Sequence, residues 1–226
     1  MCGRFASTTP PDQLASYFGA EVASDLEEHR ADYNVAPTRD VPVVRVRDDT
    51  RHLDYLRWGL VPRWAKDLRI GSKMINARAE TVATKNAYRS AFKRRRCLVS
   101  ADGFYEWKRL DPKTKQPVYI HRVDGDPLAF AGLYERWIDA EGHREVHTCT
   151  IITTTPNATM EPIHDRMPVL LPPARWEAWL DPSYDDVPAL QELLVPAPDT
   201  LLTAYEVSTE VNSVRNNDAT LIEPLS

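Results

Sequence analysis

Short strand-like segments follow one another along most of this 226-residue chain, and helical segments are few. Segments rich in β-branched and aromatic residues are separated by Asp, Gly and Pro turns, at 41–46, 53–59, 97–100, 103–109, 118–123, 128–137, 147–155 and 201–207. The helical segments do not alternate strictly with the strands, as a parallel α/β sheet would require. This pattern predicts an α+β fold built on a strongly bent, mainly antiparallel sheet or an open β-barrel, with peripheral helices.

Helices are predicted at four places along the chain. The first follows Thr9-Pro10-Pro11, a typical helix start, and the others lie at 81–95, 174–180 and 188–194. Residues 29–40 are expected to be irregular. No domain boundary is evident, so we expect a single domain over residues 1–226.

Composition and cysteine spacing exclude several classes of protein. No apolar segment approaches the length of a membrane span, and the N-terminus lacks the charged-then-apolar pattern of a signal peptide. Cys2, Cys97 and Cys149 form an odd set without CxxC spacing, which argues against a disulfide framework or a zinc site. We therefore expect a cytoplasmic, monomeric protein that needs neither a metal nor a cofactor.

Charge is distributed unevenly along the chain. The net charge is −5, yet residues 57–96 hold twelve Lys/Arg and two acidic residues, which is +10 and leaves −15 for the remainder. Such a basic stretch in an acidic chain indicates a cationic face that contacts a polyanion. For residues 89–96 alone, a solvated helix face is the alternative.

Cys2 is the most reactive residue in the sequence if Met1 is removed, as a small second residue normally allows. It would then carry both an α-amine and a thiol, with ordinary pKa values of about 8 and about 8.5. Such an aminothiol condenses with an aldehyde, first to an imine and then to a five-membered thiazolidine. It also serves as an N-terminal nucleophile whose own amine is the base.

Four short segments place polar residues at expected strand ends or loops, namely YNVAPT at 33–38, INARAET at 75–81, DGFYEW at 102–107 and IHDRMP at 163–168. An ordinary structural role is open for each of them. Asn34 would cap a turn, Asn76 would satisfy backbone groups, and His164 would bond to backbone. Glu106 would be the solvent-facing residue of a strand.

Taken with Cys2, three of these residues suit aldehyde trapping. Glu106 is the candidate proton acceptor for the attacking amine. His164 is the candidate donor to the departing oxygen, since its ordinary pKa is about 6.5. Asn76 can hold a carbonyl or hydroxyl oxygen through its amide.

Other residues suit binding of a nucleic acid strand. Arg4, Arg78 and Arg166 are candidates for bidentate contacts with phosphates. Candidate platforms for unstacked bases are the aromatic residues Trp58, Trp64, Phe104 and Trp107.

The order of these motifs resembles the SRAP family, the SOS-response-associated peptidase-like proteins. The resemblance is carried by MCGRF at 1–5, YNVAPT at 33–38, RWGLVPRWAKD at 57–67, NARAET at 76–81, DGFYEWK at 102–108, IHDRMP at 163–168 and VSTEVNSVRNND at 207–218. It spans nearly the whole chain. Members of that family process abasic sites in single-stranded DNA or at junctions between single- and double-stranded DNA.

The resemblance implies a role in the DNA damage response, near the nucleoid. Cys2 would capture the abasic-site aldehyde as a thiazolidine DNA–protein crosslink, and Asn76 would orient the reacting groups. Glu106 would act as acid and base at the amine, and His164 would serve sugar-ring opening and crosslink reversal. Residues at positions that resemble DNA- or pocket-contacting ones are Asn34, Pro37, Arg78, Thr153 and Arg166.

Three other activities are compatible with parts of the sequence. An N-terminal-nucleophile glutamine amidotransferase would use Cys2 against a glutamine amide, but no glutamine-pocket motif follows at suitable spacing. A cysteine hydrolase would combine Cys2, His164 and Glu106, with autocatalytic removal of Met1 as its simplest act. A non-catalytic module for single-stranded DNA would need only the basic segment.

Overall fold

The computed structural model describes residues 2–23 and 30–225. Its strands are β1 (Phe5–Ser7), β2 (Glu21–Val22), β3 (Asp32–Val35), β4 (Asp40–Arg47), β5 (Thr50–Trp58), β6 (Asn76–Arg78), β7 (Arg96–Ala101), β8 (Gly103–Arg109), β9 (Lys115–Arg122), β10 (Leu128–Ile138), β11 (Glu145–Thr154), β12 (Met167–Pro168) and β13 (Leu202–Glu206). The α-helices are α1 (Pro11–Phe18), α2 (Arg89–Arg94), α3 (Pro173–Leu180) and α4 (Val187–Glu192). Short 3₁₀ helices lie at Leu68–Lys73, Thr209–Asn212 and Ala219–Ile222. None of the helices in these two ranges is both long and apolar enough to cross a bilayer.

The larger sheet curls until its two ends meet. β5, β4, β7, β10 and β11 pair in that order as antiparallel neighbours. β11 then lies parallel to β5, with Thr148 opposite Arg57 and Cys149 opposite Trp58. The result is a five-stranded barrel, with β2, β6 and β12 added at its rim. The predicted α+β fold with a strongly bent, mainly antiparallel sheet is therefore confirmed, and the barrel is closed rather than open.

A second sheet of five strands, in the order β13-β9-β8-β1-β3, packs against this barrel. Phe5 of β1 pairs with Phe104 of β8 and Val35 of β3, so the N-terminal strand lies inside the sheet rather than at its edge. The rings of Phe5 and Phe104 contact Phe130 from the barrel, at centroid distances of 6.2 and 5.9 Å. Because β1 is paired on both sides, the chain is fixed immediately after Cys2.

Two glycines allow the connection from β5 to β6. Gly59 has a φ of +126°, and a Cβ built on it would lie 2.6 Å from the carbonyl oxygen of Gly71. A larger residue at position 59 would therefore meet backbone atoms as well as an unfavourable dihedral angle. The close approach lets Leu60 N–H donate to Met74 O at 3.1 Å and brings Asn76 alongside β11.

Two expectations about local structure are corrected. Only α2 (Arg89–Arg94) is helical within the predicted helix 81–95, and the residues before it form successive turns. In these turns the Thr84 hydroxyl donates to the Thr81 carbonyl, so the side chain competes with the helical backbone pattern. The expected irregular segment 29–40 contains β3 within its described part; residue 29 lies outside the described residues.

Candidate functional site

Cys2 lies at the start of the N-terminal strand and is fully buried. Burial raises the pKa of its thiol well above the ordinary value, and the nearby Glu106 carboxylate raises it further. The carbonyl oxygen of Cys2 accepts a hydrogen bond from Asn76 Nδ2 at 2.7 Å. Met1, on which the expected exposure of the α-amine depends, lies outside the described residues.

Asn76 stands on β6, held beside β11 by the pairing of Asn76 with Ile151. Its Nδ2 is occupied by the Cys2 carbonyl, whereas its Oδ1 is buried and has no hydrogen-bond partner within the described ranges. A buried amide oxygen without a donor is costly, because it has lost its water. An N–H or O–H group of a bound reactant beside Cys2 would supply the missing donor.

Glu106 is buried on β8, two residues after the Phe5–Phe104 pair. Burial raises the pKa of its carboxyl group, and the nearby His164 ring partly offsets this shift. The expectation of a solvent-facing strand residue at this position is wrong. A carboxyl group with a raised pKa beside a thiol is suited to accepting and returning a proton.

His164 approaches Glu106 from the loop before β12, with 3.9 Å between His164 Nε2 and Glu106 Oε2. On the other side of the ring, Nδ1 accepts the backbone N–H of Arg166 at 3.0 Å. The exposed Asp165 carboxylate lies 2.8 Å from the same Nδ1. The ring is thus held between Glu106 on its Nε2 side and the backbone of its own loop on its Nδ1 side.

These four residues come from separate parts of the chain and meet in one cluster. Cys2, Asn76, Glu106 and His164 are linked by the hydrogen bond, the charge effect and the 3.9 Å contact described above. The cluster contains a thiol, an amide, a carboxyl group and an imidazole. Elsewhere in the described ranges, as here, no three His, Cys, Asp or Glu side chains are placed to hold a metal ion.

Arg166 stands next to this cluster and is already engaged. Its guanidinium donates to both carboxylate oxygens of Glu80, at 2.6 and 3.0 Å, and to the Thr153 carbonyl at 2.6 Å. Thr153 itself is fully buried, with its hydroxyl 3.4 Å from Ala77 O, so its side chain faces the interior. Arg78, by contrast, is exposed on β6.

Three predicted DNA-contacting residues instead hold the C-terminal part of the chain. Arg4 Nη1 donates to Asn34 Oδ1 at 2.6 Å and to Val211 O at 2.8 Å. Trp107 Nε1 donates to Asn212 Oδ1 at 2.6 Å. Asn34 is only 1% exposed. The sequence motifs could not reveal this role, because the partners lie far along the chain.

Trp58 is corrected from a base-stacking platform to a core residue. It is fully buried, its ring lies 5.0 Å from that of Phe5, and its Nε1 donates to Ile75 O at 3.0 Å. Pro37 is half-buried in the turn before Thr38, whose N–H donates to the Trp58 carbonyl at 2.8 Å.

A cavity of about 480 Å³ lies on the basic part of the chain and is lined by Trp64, Asn86 and Arg89. Trp64 is 62% exposed. The sequence singled out Trp64 only as one of four aromatic residues and did not connect it with Asn86 or Arg89. The available signal was the position of Arg89 inside the basic segment, but the turns at 81–88, which precede Arg89, were predicted as helix.

Proteins of similar sequence carry related names. "Abasic site processing protein YoqW" of Bacillus subtilis (strain 168) is 47% identical over 223 residues, which cover 99% of each chain. "Abasic site processing protein YedK" of Escherichia coli (strain K12) is 32% identical over 234 residues and is covered completely, as is this chain. "Abasic site processing protein HMCES" of Xenopus tropicalis is 32% identical, with 96% of this chain and 76% of that protein covered.

Solved structures and a family profile agree with these matches. A crystal structure of a protein from Bacteroides thetaiotaomicron superimposes with a TM-score of 0.87 at 27% identity and covers all of both chains. The profile of the SOS response associated peptidase (SRAP) family matches residues 1–214. The chain therefore belongs to the SRAP family.

Proposed function

We propose that this protein processes abasic sites in single-stranded DNA by capturing the aldehyde of the opened sugar on Cys2. The observation that carries the proposal is the meeting of Cys2, Asn76, Glu106 and His164 in one cluster. Relatives that match this chain over nearly its full length bear the name abasic site processing protein, which supports the same choice of substrate.

The reaction forms a thiazolidine and releases one water. With Met1 removed, the α-amine of Cys2 adds to the aldehyde carbon and gives a carbinolamine. Loss of hydroxide with a proton yields an imine, and addition of the thiol sulfur to the imine carbon closes the ring. The thiol proton finishes on the ring nitrogen, so no oxidant or reductant is needed.

Each proton movement has a residue beside it. Glu106 takes a proton that the attacking amine releases, which leaves in the water, and it later carries the thiol proton to the ring nitrogen. His164 gives a proton to the departing oxygen, and the same residue serves opening of the closed sugar. Asn76 Oδ1 accepts from the amine or the carbinolamine hydroxyl, which satisfies an oxygen that is otherwise without a donor.

Burial of Cys2 favours attack by the amine before the thiol. The pKa of the thiol is raised by burial, which favours the protonated thiol. The amine therefore attacks first, and the thiol reacts only with the imine carbon that the amine has fixed beside it. This order disfavours a direct thiol attack on an amide, as a cysteine hydrolase would require.

The test uses single-stranded oligonucleotides that carry either a natural abasic site or a tetrahydrofuran analogue, which has no aldehyde. We expect an adduct that survives denaturation with the natural site alone. Cys2→Ser should give an adduct only when borohydride is present, because its amine still forms an imine but no stable ring follows. Cys2→Ala should behave in the same way, with both variants retaining affinity for the tetrahydrofuran strand.

Two results would contradict the proposal. The first is an equal adduct yield with the tetrahydrofuran strand. The second is an active protein whose N-terminal mass still includes Met1, since its peptide bond would block the amine. Glutaminase activity without affinity for DNA would favour the amidotransferase instead.

A further inference from the structure

The C-terminal strap, residues 207–217, crosses the second sheet close to the N-terminal strand. It begins where Val207 N–H donates to Pro117 O at 3.1 Å, and it includes the 3₁₀ helix Thr209–Asn212. Val211 is fully buried in a cluster with Ala6 and Tyr105. Val207 and Val211 therefore anchor the strap in the fold, while most of its other residues are exposed.

Asn34 joins this strap to the start of the chain. Its Nδ2 lies 2.9 to 3.3 Å from three carbonyl oxygens of the strap, those of Val211, Ser213 and Asn216. Its Oδ1 accepts from Arg4 Nη1 at 2.6 Å. One buried amide thus uses its donor side on the strap and its acceptor side on Arg4.

Arg4 is the first charged side chain after Cys2, and its position is fixed from several directions. In addition to Asn34, it donates to Val211 O at 2.8 Å, and its guanidinium lies 5.8 Å from the Trp107 ring centroid. The Arg4 carbonyl accepts from Tyr105 N at 2.9 Å. Between Arg4 and Cys2 there is only Gly3, which has no side chain to anchor the backbone.

The backbone that follows the Cys2 side chain is therefore held at two points. Asn76 holds the Cys2 carbonyl at 2.7 Å, and Arg4 holds the chain two residues later. Ring closure requires the amine and the sulfur to stand on the same reacting carbon, so a small displacement of the backbone is costly. A misplacement of about 1 Å can cost about a hundredfold in rate.

We propose that Asn34 is a positioning residue for the nucleophile and that it acts by clamping Arg4 to the C-terminal strap. This inference rests on the proposed aldehyde capture and adds a role for a part of the chain remote from the reacting atoms. Asn34 and the strap touch neither the aldehyde nor the DNA; they set where the amine and thiol of Cys2 stand.

The test compares Asn34→Ala with Tyr205→Phe. Tyr205 also donates one hydrogen bond to the C-terminal part of the chain, from its hydroxyl to Ile222 O at 2.6 Å, but this bond has no link to Arg4. Single-turnover adduct formation is measured at saturating abasic-site DNA, and affinity is measured separately with the tetrahydrofuran strand. We expect Asn34→Ala to slow adduct formation about 10- to 100-fold with affinity within about twofold. Tyr205→Phe should keep the wild-type rate.

A second variant separates the two sides of the Asn34 amide. Asn34→Asp keeps an acceptor for Arg4 but presents an oxygen to the three strap carbonyls, which repels the strap. We expect it to slow adduct formation as Asn34→Ala does. A wild-type rate in both variants would overturn the proposal, as would a loss confined to DNA affinity, which would make Asn34 a DNA-binding residue instead.

Alkylation of Cys2 by iodoacetamide, mapped by mass spectrometry without DNA, tests the same inference independently of the crosslink. Cys2 is fully buried, so a loosened N-terminal strand should raise its alkylation rate in Asn34→Ala and not in Tyr205→Phe. If the wild-type protein forms no adduct at all, the proposed function fails, while alkylation still decides whether Asn34 positions Cys2. Equal alkylation in wild type and Asn34→Ala would overturn the positioning role.

Discussion

Glu106 combines a buried position with a proton that the reaction needs to move. Burial raises the pKa of its carboxyl group above the ordinary value of 4.5. The folded protein therefore binds this proton more tightly than the unfolded chain does. The resulting stabilisation is fully present below the ordinary pKa and is lost as pH rises through the raised value.

Glu106→Gln should raise the stability of the protein at high pH and slow adduct formation. Glutamine keeps the shape of the side chain but does not ionise. The free energy of unfolding of the variant therefore lacks the decline with pH that Glu106 causes in the wild type. We expect the free energy of unfolding of the variant to exceed that of wild type by about 1 kcal/mol at high pH, with the difference shrinking toward the ordinary pKa. Adduct formation should fall by about 10²- to 10⁴-fold. Urea unfolding from about pH 5 to about pH 8 measures the first effect.

Glu161→Gln is the matched control, because Glu161 is exposed. The same change there should alter stability by less than about 0.5 kcal/mol and leave adduct formation intact. Parallel pH profiles for wild type and Glu106→Gln would show that titration of Glu106 is not coupled to folding.

Sequence motifs predicted which residues lie together in the cluster but not the contacts of every polar side chain. Cys2, Asn76, Glu106 and His164 stand in short motifs of reactive residues, and the structure brings them together. Arg4 was equally conspicuous as a phosphate ligand, yet its guanidinium turns toward Val211, more than two hundred residues away. No local pattern encodes a partner at that separation.

At the scale of elements, the basic run at the end of α2 divides into residues with different roles. Arg96 is 2% exposed, and its guanidinium donates to five backbone carbonyls, those of Phe92, Lys93, Trp179, Asp181 and Tyr184. Burial lowers its pKa to about 10, so it stays protonated at neutral pH. Arg95 bonds to Glu135 at 2.5 Å, whereas the Arg94 side chain is 70% exposed.

Arg96→Met should destabilise the protein by about 3 kcal/mol or more, because several carbonyls would lose their donor in the interior. Arg96→Lys should also be destabilising, since one ammonium group cannot replace the planar guanidinium fork. Arg94→Met is the control and should stay within about 0.5 kcal/mol of wild type. Urea midpoints for the three variants measure these changes. Equal losses of stability at positions 94 and 96 would contradict the assignment of different roles to these two arginines.

The strands were more predictable than the way in which they join. Alternating β-branched and aromatic residues locate β4, β5, β10 and β11 to within a few residues. The parallel contact of β11 with β5 that closes the barrel depends on residues about ninety positions apart, such as Trp58 and Cys149. Residues 81–88 were predicted to be helical but form successive turns, in which the Thr84 hydroxyl donates to the Thr81 carbonyl.

At the scale of the whole molecule, part of the positive charge of residues 57–96 is neutralised by a carboxylate from outside the segment. Arg63 and Arg95 both pair with Glu135, so the +10 of the segment overstates the charge available to a polyanion. Arg78 differs, because it is exposed on the same short strand as Asn76. We therefore predict that Arg78 holds a phosphate beside Cys2.

The salt dependence of DNA binding tests the predicted phosphate contact of Arg78 independently of adduct formation. Affinity for a tetrahydrofuran-containing strand is measured between about 50 and 200 mM salt. The logarithm of the association constant should fall linearly with the logarithm of the salt concentration, and each neutralised phosphate should contribute about 0.7 to the slope. Arg78→Gln should weaken binding and reduce the slope by about that amount. Arg136→Gln should leave the slope unchanged, since Arg136 already pairs with Glu145 through two contacts of 2.5 and 2.6 Å. An equal reduction in both variants would mean that net charge, rather than a phosphate contact at Arg78, governs binding.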